Sequence, residues 1–121
     1  MLNYEIDNKV LEVVFTLDAI NALDQIYAVE MHGIKFGFGV QHVLSDLEQG
    51  SPIAVANVLQ AVQVGKPTKV GKFSIEKFMI ENDNVEQLCA ELLEEIKKQP
   101  LTKTIAKKME DQTAEAAQTI E

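Results

Sequence analysis

Residues 53–64, IAVANVLQAVQV, constrain this chain more than any other stretch. They read as a helix whose apolar surface is interrupted only by Asn57, Gln60 and Gln63. A helix apolar nearly all round is either enclosed by its own fold or meets a partner. Twelve residues fall well short of the roughly 20 that cross a bilayer, so lipid is not that partner. Ser51-Pro52 mark the start, because a serine side chain accepts from free first-turn amides and proline is preorganised for that turn. The rest of the chain must therefore supply a cover.

Residues 2–15, LNYEIDNKVLEVVF, alternate with period two and predict a β-hairpin. A turn at Asn8-Lys9 pairs Ile6 with Leu11, Tyr4 with Val13 and Leu2 with Phe15, all apolar. A turn at Asp7-Asn8 pairs Ile6 with Lys9 instead, so the first register is the expected one. A lone hairpin is marginal in water, and its apolar face is expected to cover the next segment. That segment predicts a helix over 17–31, with Thr16 as cap and Asp18 favourably placed in the first turn. Leu17, Ile20, Leu23, Ile26, Tyr27 and Met31 form its inner stripe, and Asp24 and Glu30 its outer face.

The next stretch, GIKFGFGVQHVLSDLEQG, places Ile34, Phe36, Phe38 and Val40 alternately with Lys35, Gly37 and Gly39. An extended backbone aims all four apolar groups one way, while the glycines allow a turn or a close approach to a neighbour. Two readings follow: a connector stapled into the core by its aromatic rings, or a partly exposed aromatic groove for a partner. A phosphate loop is rejected, since only two glycines of GxGxxG are present and no Gly-Lys-Ser/Thr follows. Val40, Val43, Leu44 and Leu47 then predict a short helix that Gly50 terminates.

Residues 65–73, GKPTKVGKF, read as a solvated lysine-rich loop and the main internal boundary. Ser74 is the expected start of a short helix, SIEKFMIEN. Asp83 with Glu86 forms a capping-box pattern for a helix over 84–98, with Val85, Leu88, Cys89, Leu92 and Ile96 inward. Beyond Pro100 a thin stripe, Leu101, Ile105, Met109, Ala116 and Ile120, describes a weak helix that a neighbouring chain would order. The expected fold is α+β and mainly α-helical. An N-terminal β-hairpin packs on a helical bundle in one domain, 1–98, followed by a helical or partly disordered tail, 99–121.

Charge narrows the function. The formal net charge is −8, and all eleven basic residues are lysines. Nucleic-acid binders carry a basic face and rely on arginine forks, so no nucleic acid is expected. Cys89 is the sole cysteine, excluding an internal disulfide, and on an apolar stripe it reads as a small hydrophobe with an unactivated thiol. His32 and His42, with Asp24 or Asp46, are the sole metal candidates. Their spacing puts no two ligands on one helical face, so no metal, cofactor or catalytic site is expected. The segment MLNYEIDNK lacks the basic and apolar regions of a signal peptide, and a soluble cytoplasmic protein is expected.

The order of features over residues 1–98 resembles the tail assembly chaperones of long-tailed phages and prophages of Gram-positive bacteria. Three parts carry the resemblance. They are the hairpin feeding a helix, NYEIDNKVLEVVFTLDAINALDQIY; the Gly-aromatic connector, GIKFGFGVQHVL; and LEQGSPIAVANVLQAVQ, similar to the family's Gly–small/acidic–Pro pattern before an Ala/Val-rich helix. The segment SIEKFMIENDNVEQLCAELLEEI completes the pattern.

The resemblance implies a non-catalytic protein of the host cytoplasm that holds the tape measure protein soluble and extended while tail-tube subunits polymerise. It would then be absent from the mature virion. It also implies self-association and a longer frameshifted form, for which Lys107-Lys108 marks a candidate slippage position. A chaperone for a long helical client should offer apolar grooves. The candidate binding residues are Ile34, Phe36 and Phe38 in the connector, Val55, Leu59 and Val62 in the apolar helix, and Leu101, Ile105 and Met109 in the tail. The alternatives are an acidic helical adaptor or antitoxin-like regulator whose tail folds on its partner, and a metal-dependent enzyme built on His32 and His42.

Overall fold

The first two strands, Asn3–Ile6 (β1) and Lys9–Glu12 (β2), pair antiparallel with Tyr4 opposite Leu11 and Ile6 opposite Lys9. The structure, a computed structural model, describes residues 2–31, 34–36, 38–67 and 69–120, with the side chains of 29–31, 34–36 and 113–120 excepted. The turn is Asp7-Asn8, both with positive φ (55° and 63°), and not the expected Asn8-Lys9. Positive φ at both central residues matches the right-handed twist of a hairpin, and Asp and Asn tolerate that conformation best after glycine. The register is thus two residues away from the expected one, which leaves the faces unchanged. Ile6, Leu11, Val13 and Phe15 remain buried, and Val13 N–H bonds Leu2 O at 3.0 Å.

Thr16 caps the first helix, Leu17–Ile26 (α1), accepting from Ala19 N–H as expected. The helix stops five residues before the expected end at Met31. Val29–Met31 (β3) pairs instead with Ile34–Phe36 (β4) in a second antiparallel hairpin. Tyr27 marks the break: it leaves helical geometry, and its hydroxyl accepts from Asn57 Nδ2 at 2.9 Å. Strand pairing here overrides a helical periodicity that was only a weak prior. The expected inner stripe is also revised. Ala19 and Leu23 are buried, whereas Leu17 and Ile26 are exposed.

Gly39–Glu48 (α2) buries Val40, Val43, Leu44 and Leu47, the four expected positions. Gly50, with φ 77°, ends this segment in the left-handed conformation that suits glycine. Pro52–Ala61 (α3) follows, with Ser51 Oγ accepting from Ala54 N–H at 3.3 Å. The apolar helix is central: it contacts α1 and α2 and also the two helices that follow.

The lysine loop is anchored more firmly than a solvated loop. Buried Gln63 accepts from Val70 N–H and donates to Leu59 O, while Lys9 and Lys66 tie the loop and the hairpin edge together through backbone carbonyls. The next helix, Lys72–Asn82 (α4), begins two residues before Ser74, after Gly71, with no side-chain cap. Ser74 instead donates to Asp7 at 3.5 Å. Asp83 ends α4 in the left-handed conformation, so Asn84 becomes the cap of Val85–Lys98 (α5), accepting from Gln87 N–H. The expected Asp83/Glu86 box is therefore displaced by one residue.

The stripe of α5 is as expected, with Leu88, Cys89, Leu92 and Ile96 buried and Val85 at its edge. The hairpin rests on α4 and α5, where α1 was the expected support. Tyr4 and Phe78 rings lie 5.5 Å apart, and Tyr4 Oη donates to Glu91 at 2.9 Å. The last helix, Lys103–Ile120 (α6), packs its first turns on α5 and α2. Thr102 Oγ1 donates to Ile96 O at 2.7 Å, and Thr102 and Ala106 are buried. The architecture is mainly helical α+β with the N-terminal hairpin.

Candidate functional site

The nine residues singled out in the sequence do not form one surface. Ile34 and Phe36 lie in β4, and their side chains fall outside the described residues. Phe38 precedes α2 and is 46% exposed. Val55, Leu59 and Val62 are at most 1% exposed, so the domain's own core takes them up. Ile105 and Met109 pack against that core from α6, and Leu101 stands exposed ahead of it.

The structure offers a different surface. Between α3 and α4 runs an open groove of about 650 Å³, floored by Ala56, Met79 and Val85 and flanked by Pro52, Ile53 and Ile80. Ile53 and Ile80 are 71% and 70% exposed, so two large apolar side chains face water on the same concave surface. Scattered exposed aliphatics are ordinary, and these two are distinguished by sharing one concave surface. Lys72, Glu76 and Asp83 are its charged members. A smaller groove, about 350 Å³, lies between α1 and α3 and includes Ile26 and Val64.

Local sequence explains why the main groove exists. Ile75 and Met79 fill the buried face of α4, and Phe78 meets Tyr4, leaving Phe73 and Ile80 without room on either face. On α3 the Ser51-Pro52 start fixes Ile53 in the first turn, ahead of the fully buried Ala54 and Val55. The groove was not among the sequence expectations. The available signal was excess: SIEKFMIEN carries more large apolar residues than one helical stripe can bury.

Burial, the Glu91 hydrogen bond and nearby acids push the Tyr4 hydroxyl far above its ordinary value. Burial also raises the Cys89 thiol, as expected for an inert cysteine. His42 stacks on Tyr27 with centroids 5.7 Å apart. His32 lies outside the described residues, and among those described no three His, Cys, Asp or Glu side chains converge as a metal site. No described helix is long and apolar enough to cross a membrane.

Compared with protein-family models, the sequence matches the one for phage tail assembly chaperone protein, TAC, over residues 3–110. No curated protein and no solved structure matches it.

Proposed function

As the chain belongs to the phage tail assembly chaperone family, we propose that it binds the tape measure protein and keeps it soluble and extended while tail-tube subunits polymerise. On this reading it acts without catalysis, in the host cytoplasm, and leaves before the virion matures. The observation that carries the reading is the open groove with Ile53 and Ile80 at its sides. A long helical client exposes apolar stripes before the tube surrounds it, and a groove of this form accepts such a stripe. The net charge of −8 favours solubility of the loaded client.

The adaptor or antitoxin-like alternative draws on a tail that folds only on its partner. Thr102 and Ala106 seat the start of α6 on the domain itself, which favours the chaperone reading. Many copies would line one client, so self-association, contact with the tail-tube protein and a longer frameshifted form belong to the same proposal. The test is a tagged chain expressed with the downstream tape measure protein. Co-purification of the two, with the tagged chain absent from mature particles by mass spectrometry, supports the proposal. Recovery of the chain alone counts against it.

A further inference from the structure

We infer that the groove between α3 and α4 receives one amphipathic helix of another protein, a helix carrying lysine or arginine beside its apolar stripe. The inference deepens the reading above and rests on it only for the client's identity. The side wall, α4, has 11 residues. At 1.5 Å per residue it runs for about 16 Å, enough to hold roughly three turns of a docked helix. An apolar stripe spaced i, i+3 or i+4, and i+7 would reach Ile53, Met79 and Ile80.

Charge selects the occupant. The groove's charged residues are one lysine, Lys72, against two acids, Glu76 and Asp83, a balance of −1. Among the described residues neither acid has an ion-pair partner, and exposed Glu86 stands in the first turn of α5 nearby in sequence. Asp83 ends α4 and immediately precedes the start of α5, so the two helix dipoles offset there and its own carboxylate is the charge that a cation meets. A basic flank complements both acids. A second copy packed symmetrically on this patch would bring one lysine against two acids from each side, leaving acid in excess across the contact in a chain of net charge −8. Helix α6 of another copy is no better suited, since Ile105 and Met109 already pack on their own core.

The test uses synthetic helical peptides of about 18 residues, five turns, with a leucine stripe flanked by lysines or by glutamates at the same positions. The full chain should bind the lysine peptide at least roughly tenfold more tightly, with the preference shrinking as salt is added. Ile53→Asp and Ile80→Asp should each weaken binding by roughly tenfold or more. Both positions are exposed, and unchanged circular dichroism would show that the fold persists. Glu76→Lys should narrow the preference. Equal binding of the two peptides, or binding undiminished by both aspartate variants, overturns the inference. Loss of self-association in those variants, with peptide binding intact, makes a second copy the occupant and also overturns it. If the tape measure protein co-purifies equally with wild type and Ile80→Asp, the groove assignment falls while the chaperone reading stands. If the lysine peptide binds as described and the tape measure protein does not, the reverse holds.

Discussion

Gly39 N–H donates to the Asp24 carboxylate at 2.9 Å, so helix α1 caps helix α2 across 15 residues of chain. Phe38, the residue before α2, contributes no side-chain cap. The two helices approach so closely that a Cβ at residue 39 would stand 2.3 Å from the Leu23 carbonyl carbon. That obstacle is backbone, which cannot rotate aside. Gly39→Ala should therefore cost about 2–3 kcal/mol or more, read as a lower urea midpoint. Asp24→Ala should cost about 1 kcal/mol, the loss of one cap. A neutral Gly39→Ala would contradict the close approach.

The hairpin turn gives a second expectation. With φ of 63° at Asn8, Asn8→Val should destabilise by about 1–2 kcal/mol, because a β-branched residue resists that region. Lys9 lies in β2 with ordinary strand backbone, so Lys9→Val should lose only its exposed bond to Lys69 O and cost less than Asn8→Val, within about 1 kcal/mol. Reversed sensitivities would indicate a turn at Asn8-Lys9.

These two sites show what the sequence could and could not convey. Period-two alternation fixes which face of a strand is buried, and it did so for Ile6, Leu11 and Val13. It is blind to a slide of two residues, which turn chemistry decides. Helix starts with a local cap, at Thr16 and Ser51, were legible because capping residue and amide are three apart in sequence. The Asp24 cap was not, since its partner lies on another helix and a lone acid reads as solvated surface. The β3–β4 hairpin was missed for a similar reason: Ile26, Tyr27 and Met31 keep helical spacing, and only the pairing with Ile34–Phe36 breaks it. The groove is not legible in the sequence because it needs α3 and α4 to meet, and Ile53 and Ile80 read there only as apolar residues to spare.

Gln99 joins the end of α5 to the hairpin. Its side chain accepts from Phe15 N–H at 2.8 Å and donates to Val13 O at 2.7 Å, as a neighbouring strand would. Gln99→Ala leaves both backbone groups without that partner and should cost about 2–4 kcal/mol. Hydrogen exchange should show Phe15 losing protection first. Full retention of Phe15 protection would refute the clamp.

Glu95 gives a pH dependence. Burial pushes its carboxyl up, but hydrogen bonds from Lys98 and Gln99 outweigh burial and hold it below the ordinary value of 4.5. As pH falls, the unfolded chain takes up this proton first. The stability Glu95 contributes is therefore complete above pH 4.5 and is lost as pH drops through the lower folded value. Urea midpoints between about pH 3 and 5 should slope less steeply in Glu95→Gln than in wild type. Identical slopes would remove Glu95 as a source.

Both tyrosines should titrate late. Burial raises Tyr4, with Glu91 adding to it, and burial raises Tyr27 despite the hydrogen bond from Asn57. Ultraviolet absorbance should show less phenolate in the folded chain than in denaturant at pH 10, the ordinary tyrosine value. A folded-state midpoint at 10 would contradict the packing of Tyr4 against Phe78 and Glu91.

The most direct measurement is the fraction of tape measure protein found in the soluble extract when it is produced with this chain and without it. Wild type should move most of the tape measure protein into the soluble fraction, bound to the chain. A tape measure protein that stays as insoluble with the chain as without it would rule out the proposed chaperone role.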